Sequence, residues 1–262
     1  MKKIQPLLLF FTLLGLGCGS EVTAPQVVTP TKLYSEEYLT YDPLASNGGF
    51  VSTFKKLYHY DRNKLVEVVV YEYDPGAHSY DLGTVLEEFH YTDDGRLSQL
   101  VHFLGTTGIK TVEEFEYINQ TITRVTRTES SESGSINSKD SLVMERTPTS
   151  LEVRYFQLSD QQYAQLNYDI DGRGNVISVI RNPPFSVGKI SYKHDDSPNP
   201  YKFLALSGEY GSDSEKYISE NNVVEESNDF NNPKLVRTIE YDELGFPVTV
   251  ITATSKSLFV YQ

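Results

Sequence analysis

Apolar and polar residues alternate along most of this chain, and the alternation recurs in copies. Phe89-His90-Tyr91, Leu166-Asn167-Tyr168 and Ile239-Glu240-Tyr241 each read apolar, polar, tyrosine, and Tyr58-His59-Tyr60, Phe115-Glu116-Tyr117 and Ile190-Ser191-Tyr192 keep the same order. A period of two puts one face in a core and the other in water, which is the pattern of a half-buried strand. Turn formers follow the tyrosine: Asp61, Thr92-Asp93-Asp94-Gly95, Asp169 to Gly172-Arg173, and Asp242-Glu243-Leu244-Gly245. Asp and Asn bond their own backbone, and Gly supplies positive φ. A second β-rich run then returns, at 65–70, 97–101, 176–180 and 248–251. No stretch of comparable length carries helical spacing; short helical turns are expected only near Lys202 to Leu206. The pattern predicts an all-β fold, an extended twisted antiparallel meander sheet of repeated hairpins, over residues 34–262. Tyr91, Tyr168 and Tyr241 should be at least half buried, with His59, His90 and Glu240 mostly exposed. The Ser-rich stretches 129–140 and 207–221 read as loops.

The first residues follow a different logic. Met1-Lys2-Lys3 is basic, Leu7 to Leu14 is apolar apart from Thr12, and Gly15-Leu16-Gly17 leads to Cys18, the only cysteine. This is the layout of a secretory signal peptide, residues 1–17. Its apolar run is far shorter than the about 20 residues a spanning helix needs. The small residues before Cys18 resemble the lipobox of bacterial lipoproteins, with Gly15 where that motif usually has Leu and Leu14 one step further back. The resemblance implies that Cys18 is lipidated and becomes the N-terminus, anchoring the chain to a membrane. Gly19 after the cysteine implies the outer membrane rather than the inner. Residues 18–33, with two prolines and several threonines, read as a flexible tether.

Charge narrows the partners. Without Lys2 and Lys3 the chain keeps 21 basic against 36 acidic residues, a net −15. Such a balance repels nucleic acid and anionic surfaces. One cysteine excludes an intrachain disulfide. Tyr (19) and Phe (13) are abundant and Trp is absent, which suits strands and weakens a tryptophan-type sugar platform.

The tyrosine-aspartate copies resemble the YD repeat, known from Rhs-type proteins and from Bacteroidota lipoproteins of unknown function. The segment Tyr192-Lys193-His194-Asp195-Asp196-Ser197-Pro198-Asn199-Pro200-Tyr201-Lys202 is similar to the tyrosine–aspartate–Asn-Pro-aromatic-Lys segment of that lipoprotein group. Asn221-Asn222-Val223-Val224 and Tyr241 to Pro247 fit the segments that usually follow it. The resemblance covers roughly residues 34–262 and implies a meander sheet behind a lipid anchor. It carries no active site.

Candidate chemistry is sparse. His59, His90 and Glu116 share one repeat slot, but a return strand separates each from the next by roughly 9–10 Å, too far for a shared metal. His78, His102 and His194 read as isolated surface residues. Asp169-Ile170-Asp171-Gly172-Arg173-Gly174-Asn175 has the spacing of a calcium loop but lacks the third early ligand and the late Glu, and a hairpin turn accounts for every residue. Glu87-Glu88, Glu113-Glu114 and Glu225-Glu226 are adjacent, so each pair points to opposite faces. No serine lies in a Gly-x-Ser-x-Gly turn. Asp140-Ser141-Leu142 resembles the motif that Bacteroidota exported proteins glycosylate. No catalytic, cofactor-binding or metal residue is expected; the one assigned site is lipidation at Cys18. The reading is a non-enzymatic, lipid-anchored cell-envelope protein acting as scaffold or binding module for a protein or glycan. The alternatives are an accessory glycan-binding lipoprotein of a polysaccharide-uptake system and a hydrolase with an unrecognised site.

Overall fold

Among the described residues eighteen strands, all antiparallel, follow one another along the chain. The computed structural model describes residues 32–44, 49–81, 83–104, 108–119, 121–157, 161–182, 188–204, 218–229 and 233–262. Residues 1–31, which hold the expected signal peptide, Cys18 and most of the expected tether, lie outside the described residues. The strands are β1 (Leu33–Asp42), β2 (Gly49–Asp61), β3 (Lys64–Asp74), β4 (Ser79–Tyr80), β5 (Thr84–Tyr91), β6 (Leu97–Leu104), β7 (Ile109–Ile118), β8 (Thr121–Ser130) and β9 (Ile136–Arg146). There follow β10 (Ser150–Gln157), β11 (Gln162–Ile170), β12 (Val176–Arg181), β13 (Gly188–Pro198), β14 (Asn221–Asn228), β15 (Leu235–Val236), β16 (Thr238–Tyr241), β17 (Pro247–Ile251) and β18 (Ser255–Tyr261). The only described helical element of several residues is a 3-10 turn at Pro200–Leu204, beside the expected position.

Each strand pairs with its sequence neighbour, β4 being a short flap on β3 while β5 carries the sheet onward. The meander therefore has the expected form, but it does not stay open. The first strand β1 pairs with β2 on one side and with the last strand β18 on the other. The run 235–241 makes the remaining join, its β15 half pairing with β14 and its β16 half with β17. Closure removes the two unpaired edges an extended sheet would expose to other chains.

The repeat explains itself in this ring. At several of the tyrosines the register slips by one residue, as between His59 and Tyr60, His90 and Tyr91, and Glu116 and Tyr117. The phenol then reaches the preceding hairpin's return strand. Tyr60 Oη donates to the Leu33 carbonyl at 3.0 Å, Tyr91 to Leu65 at 2.7 Å, Tyr117 to Leu97 at 2.8 Å and Tyr261 to Pro247 at 2.7 Å. The residue before the acceptor covers the ring: Lys32 over Tyr60, Lys64 over Tyr91, Arg96 over Tyr117, with Phe246 in that place against Tyr261. Burial lifts the Tyr60 and Tyr91 phenols to about 12, so both stay protonated as donors. Tyr168 is 2 % exposed and Tyr241 36 %, so both meet the expected burial, as does Tyr91.

Turns share one geometry. Gly95, Gly134, Gly174 and Gly245 donate to the carbonyls of Thr92, Ser131, Asp171 and Asp242, and all four take positive φ. In the Asp171 turn the glycine that matters is Gly174 (φ 90°), not Gly172 as the sequence frame suggests. Gly95→Val is expected to cost about 1–3 kcal/mol, because Gly95 sits at φ 88°. Gly172→Val should stay within about 0.5 kcal/mol, since a Cβ there meets nothing within 4 Å. Thermal unfolding of the two variants side by side reads the difference.

The stretch 129–140 is not a loop. It is the tip of the β8–β9 hairpin, with the Ser131-to-Ser135 turn at its end and Thr128 opposite Lys139. Asp140-Ser141-Leu142 lies within β9, and Ser141 pairs with Thr126 on one side and Phe156 on the other. Most of 207–221 lies outside the described residues.

Candidate functional site

The Asn-Pro segment closes the ring from within. It leaves β13, yet Tyr201 Oη donates to Glu36 Oε1 on β1 at 2.7 Å, and its ring meets Phe259 of β18 edge-on at 5.9 Å. Between β13 and β1 stand β14, the run 235–241, β17 and β18, so the segment crosses the interior. Asn199 is 3 % exposed and Pro200 is fully buried. A polar knot holds the segment there. Asn199 Nδ2 donates to the Ser219 carbonyl at 2.9 Å, and Lys202 Nζ meets the Ile218 carbonyl at 3.1 Å and Glu220 at 3.0 Å. Asn222 Nδ2 reaches Asp195 and the carbonyls of Ser197 and Pro198, and the Tyr241 phenol donates to Asp195. Residues from 192–202, 218–222 and Tyr241 thus converge on one plug.

Beside this plug lies a cavity of about 450 Å3. It is lined by Asn199, Pro200 and Tyr201 of the plug, by Tyr38, Phe54 and Lys56 of β1 and β2, and by Arg237, Ile239 and Val250 from the strands beyond β18. Thr252, Thr254 and Ser255, at the turn joining β17 to β18, lie at its rim. Tyr38 and Phe54 are cross-strand partners stacked at 5.0 Å and 14°. The interior is therefore a cup with a mixed aromatic, hydroxyl and charged lining.

Two carboxylates in that lining are already engaged. Glu36, 8 % exposed, accepts from Tyr201, from Tyr58 at 3.1 Å and from Ser257 at 3.4 Å. Glu226 Oε2 pairs with Arg237 Nη2 at 3.2 Å. The sequence names only Glu226 of the two, as half of an adjacent pair, and Glu36 and Lys56 pass unnoticed, although Phe54, Lys56 and Tyr58 share one parity, so alternation alone sends a lysine inward.

A second ionisable cluster occupies the inner face elsewhere on the ring. Glu113 on β7, Arg127 on β8 and Asp140 on β9 are direct cross-strand partners. Arg127 Nε and Nη2 both donate to Glu113 Oε1, at 2.9 and 2.7 Å, and Glu113 is 1 % exposed. Asp140 accepts from the Tyr163 phenol at 3.2 Å. His102 stands between Glu87 (3.4 Å) and Glu113 (3.7 Å). At 3.7 Å the Glu113 contact exceeds hydrogen-bond length, so its pull is one of charge. Burial opposes the imidazolium, but the two carboxylates outweigh it and lift its pKa to about 9. His102 is therefore interior, not a surface residue as its isolation in sequence suggests. It is protonated at neutral pH, so it is not free to act as a general base there. The adjacent-glutamate reading holds in detail: Glu113 is buried while Glu114 is exposed, and Glu88 lies more open than Glu87. What it missed is that Glu87 and Glu113, from different pairs, flank one histidine.

The other sequence candidates stay apart. His59 and His90 are exposed on β2 and β5, with β3 between them, and Glu116 is exposed on β7 beyond β6. Among the described residues no group of three His, Cys, Asp or Glu is placed to hold a metal. Asp171 is filled by its own turn, accepting from the backbone N–H groups of Arg173 and Asn175, both at 2.9 Å. Desolvation raises its pKa, but those bonds win and hold it below the usual value. His194 is partly buried, and burial lowers its pKa. His78 is exposed, in a turn at φ 51°.

The outer face carries many charged and polar side chains: exposed His90 lies on β5, Glu114 and Glu116 on β7, Arg124 on β8, Glu145 on β9, Asp169 on β11, Lys193 on β13 and Glu240 on β16. Exposed apolar residues stand among them, with Val51 on β2, Ile177 and Ile180 on β12, Val236 on β15 and Val260 on β18. Among the described residues no helix is long and apolar enough to cross a membrane.

No family model matches the chain, and no curated protein matches it. The solved structures it is similar to include a porin-like protein of Bacteroides uniformis, at 10 % identity and a TM-score of 0.57, covering 89 % of this chain and 98 % of that one. A porin-like protein of Bacteroides vulgatus is 14 % identical, with a TM-score of 0.43, covering 68 % of this chain and 94 % of that one. The first likeness shows the fold.

Proposed function

We propose that this chain is a lipid-anchored cell-envelope protein that binds a ligand in its plugged cup and does not transform it. The observation that carries the reading is the engagement of the inner carboxylates and of His102. Glu36, Glu226, Glu113, Arg127 and His102 are held by structural partners rather than set free beside open volume. Catalysis needs a group poised to change its protonation or attack; binding needs only a shaped, mixed lining. The signal peptide and Cys18 supply the route and the anchor, and the likeness in fold to porin-like proteins of Bacteroides is compatible with an outer-membrane address.

The charges on the outer face support lipid anchoring over spanning. A cationic side chain facing lipid at mid-bilayer costs about 2–4 kcal/mol, and Arg124 and Lys193 both face outward within their strands. A glycan as the ligand is favoured by the stacked Tyr38–Phe54 pair. The repeat tyrosines are not the platform, because their rings and hydroxyls are engaged in the hairpin ladder.

The full-length protein in detergent, titrated calorimetrically against a saccharide and peptide panel, should show saturable binding. It should show no turnover of glycoside, ester or peptide substrates. Turnover lost in His102→Gln or Glu113→Gln would overturn the reading.

A further inference from the structure

Resting on the cup as a binding site, we propose that it takes a small saccharide carrying one carboxylate, of the uronic-acid class, with Lys56 holding the anionic group. Lys56 faces Glu36 directly across β1 and β2, a placement that usually closes an ion pair. Here it does not, because Glu36 is taken by three hydroxyl donors. The Lys56 ammonium lies instead over the Phe54 ring, 5.9 Å from its centre, with no carboxylate partner among the described residues. In the same lining Arg237 gives one nitrogen to Glu226, while its Nη1 is buried without an acceptor. The two acids and two cations of the lining balance in formal charge, but the acids have their hydrogen-bond partners while the Lys56 ammonium and Arg237 Nη1 keep donors to spare.

Size and surroundings set the rest of the ligand. About 450 Å3 is at the small end of ligand sites and suits one or two sugar rings. The strongly acidic chain disfavours a polyanion, so the charge is single. Tyr38 offers an apolar ring surface, and Thr252, Thr254 and Ser255 offer hydroxyls at the rim.

The test titrates the full-length protein in detergent with methyl glucuronide and methyl glucoside. The wild type should bind the glucuronide on the order of tenfold more tightly, the worth of one charge-assisted hydrogen bond. Lys56→Met should bring the two to parity, while Lys56→Arg and the outward Lys55→Met keep the preference. Raising NaCl from about 0.05 to about 0.5 M should shrink the preference without any substitution. Equal binding of the two glycosides by the wild type overturns this proposal and leaves the cup as a binding site. A preference that survives Lys56→Met overturns it as well. Binding of neither glycoside overturns it too, while binding of any other panel member still supports the broader reading.

Discussion

Arg127→Met is expected to lower stability by about 3 kcal/mol, a fall in Tm of about 6–12 °C. Glu113 is 1 % exposed, and two Arg127 nitrogens meet one of its oxygens. Removing the guanidinium leaves a buried carboxylate with only His102, at 3.7 Å, to answer its charge. The cost is that of stranding a charge, not of losing an attraction, so removing both partners should be far milder. Glu113→Leu combined with Arg127→Met is expected to recover most of the loss. Thermal unfolding of both single variants and the double variant reads this directly. If the double variant falls as far as Arg127→Met alone, the cluster's cost lies in packing instead.

The same cluster sets a pH dependence. The folded-state pKa of His102, about 9, lies above the usual 6.5. Its contribution is present in full below about pH 6.5 and is lost as pH rises toward 9. The wild type should therefore lose Tm over that window, and His102→Gln should lose less.

Much of this was legible in the chain because alternation is a local signal. Parity alone sends Glu113 inward and Glu114 outward, and it places Phe54, Lys56 and Tyr58 on one face. Closure of the ring was not legible, since β1 meets β18 through a pairing across more than two hundred residues that no repeat encodes. The β8–β9 tip was misread because serines are polar and small, yet a serine-rich run holds as a strand when its backbone is paired, here 136–139 against β8. The turn signal that mattered was Gly134. His102 looked solitary because its partners, Glu87 and Glu113, come from the neighbouring strands on either side. The Asn199-Pro200 segment was visible as a motif, but its course across the interior depends on Glu36, more than a hundred and sixty residues away.

Cys18→Ser should release the protein from the membrane altogether. The acyl chains proposed on Cys18 would bring about 0.8 kcal/mol per buried methylene. Exposed Glu116, Arg124 and Lys193 would each be costly against hydrocarbon, which sets the ring against spanning. The deciding measurement is fractionation of cells expressing wild type and Cys18→Ser, with an alkaline wash of the membranes and circular dichroism of the released protein. The account predicts wild type in the membrane pellet and the variant in the soluble fraction, still β-folded. A Cys18→Ser protein that stays in the washed membranes would contradict it, and would mean that the ring itself enters the bilayer.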